Sequence, residues 1–222
     1  MHALDALLER RSIRSFKTES VSKEVITGIL ETVRWVPSSR NTQPCELTVV
    51  GGPAMDELKA QLTAKVEADA EARPDIPAAE LSEPFISRAL AQRDAIDSYQ
   101  FPPGTEDLAG KRADYWIRGG RFFDAPNAII ISMEKALYPS ALIDVGLMIH
   151  AICISAYAHG VDTCPTRRPV YWPELLRQLF NIPESKMIVF SIALGYREPQ
   201  ARVNNFSRFR EPLDSWVTWQ GL

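Results

Sequence analysis

At 222 residues, 45% hydrophobic and 24% charged with a formal net charge of -3, the chain has the balance of a globular protein with one core, and its mild acidity argues against a general nucleic-acid binder. Three widely spaced cysteines, Cys45, Cys153 and Cys164, form no CxxC pair, so neither a disulfide framework nor a zinc site is expected and a reducing cytoplasm fits. His2, His150 and His159 are too few for a histidine-rich metal centre, and no run reaches the roughly 18 apolar residues that span a bilayer.

In chain order, "ALDALLER" predicts a helix with Leu4, Leu7 and Leu8 on one face. "RRSIRSF" at 10 to 16 lies at its end. The polar "KTESVSKEV" that comes next lacks the apolar segment of an export peptide. Ser22 then caps a helix carrying Val25, Ile26, Ile29, Leu30 and Val33 at helical spacing until Pro37 stops it. "PSSRNTQPC" reads as a polar loop, "ELTVVGG" as a strand, and Pro53 as the opening of a further helix. From Asp56 to Glu83 eight acids face three bases, and Pro74, Pro77 and Pro84 interrupt the pattern. Residues 67 to 112 are therefore expected to form a solvated insertion of short helices, a lid on a single domain spanning 1 to 222.

"RADYWIRGG" predicts a helix, and "NAIIISM" a buried strand. A long helix is expected from Pro139 to about His159, with His150 as a satisfied packing residue on it. "GVDTC" reads as a turn and short strand, "WPELLRQLF" as a helix, and "KMIVFSIALGY" as a strand. The tail from 202 to 222 is too apolar at its end to float free. This alternation predicts an α+β fold, too uneven for a regular doubly wound sheet.

Two groups of residues could carry chemistry. Arg10, Arg11, Ser12 and Arg14 offer guanidinium forks and a hydroxyl within one turn, the donor set for a phosphate, and Arg208 and Arg210 would add to it if the tail folds back. Against that stands a solvated basic helix end. In the polar loop, the amides of Asn41 and Gln43 each present a donor and an acceptor, suited to a heterocycle edge, and Ser38 and Ser39 add hydroxyls. The bland alternative is a surface loop of turn formers. Cys45 reads as an inert filler.

"RRSIRSF", "V..E.I..IL...RW.PS..NTQP", "D.G......C.SAYAHGVDTC", "ALGYREP" and a basic pair before "PLDSW" together resemble the FMN-dependent nitroreductase superfamily over nearly the whole chain. The resemblance implies a mainly antiparallel sheet flanked by helices, in a homodimer whose C-terminal segments are swapped onto the neighbouring subunit, with one FMN in each of two interface clefts. By similarity, Arg10, Ser12 and Arg14 would hold the FMN phosphate and pyrimidine edge, with Arg11 on the ring or in the structure. Arg208 and Arg210 would complete the phosphate site. Ser38, Ser39, Asn41 and Gln43 would reach the flavin from the other subunit. The family's glycine-rich turn is here "PTRRP", so Pro165, Thr166 and Arg167 occupy the place of the backbone N-H that faces flavin N5. Pro165 cannot donate, which leaves Thr166 or Arg167. Cys45 stands where the family often has tryptophan, and His150 with Ala151 where it often has a Gln-Asn pair.

The implied activity is NAD(P)H-dependent reduction of nitroaromatics or quinones in a ping-pong cycle of electron pairs through the flavin. Aromatic residues such as Tyr99, Phe101, Tyr115, Trp116, Phe122 and Phe123 are candidates for the acceptor side. Reductive dehalogenation or enone reduction at the same flavin site, and a flavin-binding module without turnover, are the alternatives.

Overall fold

The computed structural model describes residues 3–221. The chain folds in the order α1 (Ala3–Glu9), α2 (Lys23–Val33), β1 (Glu46–Gly51), α3 (Gly52–Glu67), α4 (Phe85–Gln100), α5 (Leu108–Gly120), β2 (Asn127–Glu134), α6 (Leu142–Ala158), β3 (Asp162–Thr166), α7 (Pro173–Phe180) and β4 (Lys186–Gly195). The four strands form one antiparallel sheet in the order β1-β2-β4-β3.

Successive side chains of a strand point to opposite faces, so a strand apolar throughout must be covered on both. In β2, Ile129, Ile131 and Met133 enter a core shared with α2 and α6, through Ile26, Ile29, Val145 and Ile152. Ala128 and Ile130 enter a second core with Met55, Leu58 and Leu62 of α3 and Leu175 and Leu176 of α7. The sheet is thus the middle of three layers. Ser22 caps α2 by accepting from the Val25 N-H at 3.3 Å, and Pro53 sits in the first turn of α3. No described helix is long and apolar enough to cross a membrane.

The structure differs from the sequence reading in four places. Leu4, Leu7 and Leu8 of α1 are exposed, and among the described residues 4 to 9 of that helix only Ala6 is buried. The long helix starts at Leu142, because Pro139 stands in a non-helical turn before it. His150 is exposed on α6 rather than packed in a core. The segment 67 to 112 carries α4, a full 16-residue helix, and the start of α5, so its far boundary falls inside a helix. That segment is also tied down: Ile96 of α4 packs with Val203 and Phe206 of the tail. Asp75 accepts from Arg177 at 2.6 Å and from the Ile188 amide at 2.7 Å.

Candidate functional site

The arginine-rich segment after α1 runs along the β3 edge of the sheet. Ser12 bridges Thr163 in parallel, the Ile13 amide donates to the Thr163 carbonyl at 2.9 Å, and the Lys17 amide donates to the Tyr196 carbonyl at 2.8 Å. Ile13 is fully buried, so Ser12 and Arg14 on either side of it face away from the core. The tail folds back onto this segment. Asn204 is buried, with its carbonyl oxygen accepting from the Arg14 amide at 2.8 Å and its NH2 donating to the Ser15 and Glu198 carbonyls at 2.9 and 3.1 Å. The Arg208 guanidinium donates to the backbone carbonyls of Arg10 at 2.5 Å and Leu8 at 2.6 Å. Arg11 donates to the Phe206 carbonyl. Arg11 and Arg14 both lie over the Phe206 ring, at 5.7 and 5.6 Å from its centroid.

The two ends of the chain thereby enclose a cavity of about 180 Å³, lined by Arg10, Arg11, Arg14, Arg208, Arg210 and Ser12, with Gln92 and Phe206 closing it. Five guanidinium groups line it and no carboxylate does. Burial first, and then the positive charges of Arg208 and Arg197, lower the Arg11 pKa. Arg208 and Arg11 spend donors on the backbone, so they clasp tail to N-terminus. Among the described residues the Arg10 side chain has no hydrogen-bond or ion-pair partner, and Arg14 uses one N-H on the Ser12 carbonyl at 3.2 Å. Arg210 donates only locally, to the Phe209 carbonyl at 2.7 Å. Donors remain for an anion.

Arg14 and Gln92 also line a neighbouring chamber of about 290 Å³, walled by Tyr115, Trp116, Phe123 and Arg168. Three of the expected aromatic residues are therefore here. Phe122 is core, and Tyr99 lies against the Arg202 guanidinium at 5.3 Å. Burial pushes the Tyr115 hydroxyl up to about 12, so it stays protonated.

The polar loop lies elsewhere. Ser38, Ser39, Asn41 and Gln43 precede β1, at the opposite edge of the sheet from β3. Three inter-strand steps of about 4.8 Å put roughly 14 Å between those edges. The loop is held in a tight form by Ser38 Oγ accepting from the Gln43 amide at 2.9 Å and by Asp144 accepting from the Ser39 amide at 3.1 Å. Arg40, Asn41 and Gln43 have φ of 52°, 56° and 48°, in the left-handed region that non-glycine residues avoid. Ser39, Asn41 and Gln43 are exposed. Ser38 and Gln43 of this loop line a cavity with Cys45 and Asp144, separate from the one the arginines line.

At the end of β3, Pro165 pairs with Ile192 and Thr166 with Ser191. The Thr163 carbonyl points outward to Ile13, so by antiparallel alternation Pro165 also points outward and Thr166 points into the ladder. An edge strand tolerates proline in that orientation. Of the two candidate amides, Thr166 is turned toward β4, and Arg167 follows the last strand residue. The Arg167 side chain donates to the Ile76 carbonyl at 2.6 Å, clasping the 67 to 112 segment.

Residues 7–196 match the model of the nitroreductase family. The chain belongs to that family. It is 31% identical to a chloronitrobenzene nitroreductase of Comamonas testosteroni over 221 residues, 97% of this chain and 95% of that one. It is also 31% identical to a nitrobenzene nitroreductase of Ectopseudomonas oleovorans, with the same coverages. Among solved structures it resembles the FMN and NADPH-dependent nitroreductase NfnB of a sphigopyxis strain, with a TM-score of 0.93 at 24% identity over 100% of both chains.

Within this nitroreductase-family fold, three contributors escaped the sequence reading. Asn204 and Phe206 form the underside of the arginine cluster, and Gln92 comes from α4. Their position just ahead of the basic pair was the one available signal. Gln92 had none, because α4 carries little amphipathic pattern. Cys45 is half-buried beside the loop, its thiol raised to about 11 by burial and by Asp144, which makes it a filler rather than a nucleophile.

Proposed function

We propose that the chain is a homodimeric oxidoreductase that binds FMN and uses NAD(P)H to reduce nitroaromatic compounds or quinones in a ping-pong cycle. One observation carries this reading: the arginines of both chain ends line one carboxylate-free cavity that opens beside an aromatic-walled chamber. That donor set fits a phosphate dianion, and the chamber fits a flat ring system. Bound FMN supplies the hydride and electron-pair chemistry itself.

The residues of this chain bind, orient and exclude water. Arg10, Arg14 and Arg210, with the Ser12 hydroxyl, are the groups with donors left for the phosphate, while Arg208 and Arg11 hold the cavity shut. Arg14 lines both spaces, so it brings positive charge toward the ring end, where added electron density is stabilised. Tyr115 and Phe123 pack at 5.8 Å between centroids and keep one side of the chamber apolar. The polar loop at the far sheet edge suits a second subunit's flavin rather than its own.

The test is spectroscopic. Purified protein should be yellow, should bleach on anaerobic addition of NADPH or NADH, and should recolour with nitrobenzene or a quinone. Colourless protein that takes up no FMN would sink the reading, and yellow protein indifferent to both nicotinamides would make it a binding module without turnover.

A further inference from the structure

The cavity beneath the polar loop, of about 220 Å³, shares no lining residue with the arginine cavity or the aromatic chamber. Its walls are apolar: Leu30 and Val33 of α2, Pro44, Leu47 of β1 and Met148 of α6. Asp144 sets it apart from a plain void. That residue is 7% exposed, lines the cavity and stands in the first turn of α6, where the positive end of a helix favours a carboxylate. One of its oxygens accepts from the Ser39 amide at 3.1 Å. Among the described residues the other oxygen has neither a hydrogen-bond nor an ion-pair partner. The remaining polar groups do not supply one. Arg34, on the exposed side, is paired with Glu31 at 2.8 Å, and the Gln43 side chain donates to the Asn41 carbonyl at 3.3 Å. Cys45 lines the space with a protonated thiol, its pKa held at about 11. A buried acceptor without a donor is costly unless something that enters the cavity brings one.

Resting on the oxidoreductase reading above, we propose that this cavity is a separate small-molecule site for a single aromatic ring bearing an N-H or O-H donor, one that takes the reduced product and refuses the acceptor it came from. Reduction reverses the hydrogen-bonding sense of the ring's substituent. A nitro group or a quinone carbonyl only accepts. Four electrons and four protons turn a nitroarene into a hydroxylaminoarene and water, and two of each turn a quinone into a hydroquinone, so both products donate. Against Asp144 a nitro group sets oxygen against oxygen, whereas an amino, hydroxylamino or phenolic group satisfies the free carboxylate oxygen. Size agrees with one ring. An apolar cavity of roughly 150 Å³ is enough for benzene, and the space here holds a substituted ring but no dinucleotide.

Fluorine NMR titration of the oxidised, FMN-loaded protein with 4-fluoroaniline and with 4-fluoronitrobenzene tests the site without turnover. The aniline should bind at least about tenfold tighter, the share expected of a hydrogen bond to a charged group, with FMN content unchanged. Cys45→Trp puts a large side chain into the cavity and should abolish aniline binding, while the steady-state constants for nitrobenzene stay close to the parent values. Asp144→Asn keeps an acceptor for the Ser39 amide but offers the cavity an N-H donor, so the preference for the aniline should vanish. Equal affinity of the parent for the two rings would overturn the proposal. So would aniline binding that survives both substitutions, or release of FMN by the aniline, which would assign the space to the flavin. Should Cys45→Trp not fold, the loss or persistence of the preference in Asp144→Asn decides alone. If neither nitrobenzene nor a quinone reoxidises the reduced protein, the oxidoreductase reading fails while the titration still decides whether a donor-bearing ring occupies the cavity.

Discussion

At Asn204 one buried carboxamide serves three backbone groups: the amide of Arg14 and the carbonyls of Ser15 and Glu198. Asn204→Ala removes all three partners from a place that water reaches poorly, and each orphaned group costs about 1–3 kcal/mol. A loss of about 3 kcal/mol in urea unfolding is expected, together with weaker FMN binding, because Arg14 loses its backbone anchor. Arg14 acts differently. Its side chain lies over Phe206 with donors to spare, so Arg14→Ala should leave the unfolding midpoint nearly unchanged and weaken FMN by about 10- to 100-fold, one charge-assisted contact of roughly 1.5–3 kcal/mol. Flavin retained by this variant through dilution and gel filtration would count against the phosphate assignment. Cys45 gives a pH prediction. Its pKa of about 11 means that the thiol stays protonated well above neutrality. Alkylation by iodoacetamide should therefore be slow at pH 8 and accelerate only as pH approaches 11. Rapid labelling of Cys45 at pH 7 would show that Asp144 and burial do not govern it.

Among the elements, the strands and the apolar helices α2, α3, α6 and α7 were readable because burial imposes periods of 3.6 and 2 on a sequence. The excursion from 67 to 112 was not, because α4 buries little beyond Ile96 and its partner surface is the tail, more than 100 residues later. Nor could the exposure of the leucines on α1 be read, since amphipathic spacing says that a face is apolar and not which surface covers it. The arginines were visible as a motif, whereas their meeting with Arg208 depends on Asn204 and Phe206, which carry no periodic signal. What fixes the excursion is a clasp. Arg177 on α7 is buried and reaches Asp75 at 2.6 Å, while its other acidic neighbours, Glu174 and Glu184, are exposed. Asp75→Asn leaves a buried guanidinium short of its inner partner, for which about 3 kcal/mol is expected. Limited proteolysis should then cut first between residues 69 and 84, with α4 and the chamber wall loosened as a result. Unaltered protease resistance would mean that the tail contacts alone hold α4 in place.

For the molecule as a whole, the proposed homodimer makes two predictions, the first of them drawn from exposed apolar surface. Leu8, Trp35 and Ile143 are 71%, 84% and 74% exposed, and a groove of about 590 Å³ runs between α1 and α6 past Leu7, Trp35 and His150. Trp216 and Trp219 of the tail are exposed as well. Apolar surface on this scale marks an association face. Leu7→Asp should shift the protein toward monomer in light scattering and lower its flavin content in parallel. The stronger test uses the opposite sheet edges. If the arginine cluster of one subunit works with the loop of the other, co-expressing an Arg14→Ala chain with a chain carrying Asn41→Ala and Gln43→Ala yields mixed dimers in which one site is wholly unaltered and the other doubly damaged. Such dimers should bind about half the parent's flavin, although each variant alone binds little. If cluster and loop of a single chain served one flavin, every site in the mixture would carry a defect and mixing would restore nothing. Because β1 and β3 lie at the two ends of the sheet order, restoration is the expected result.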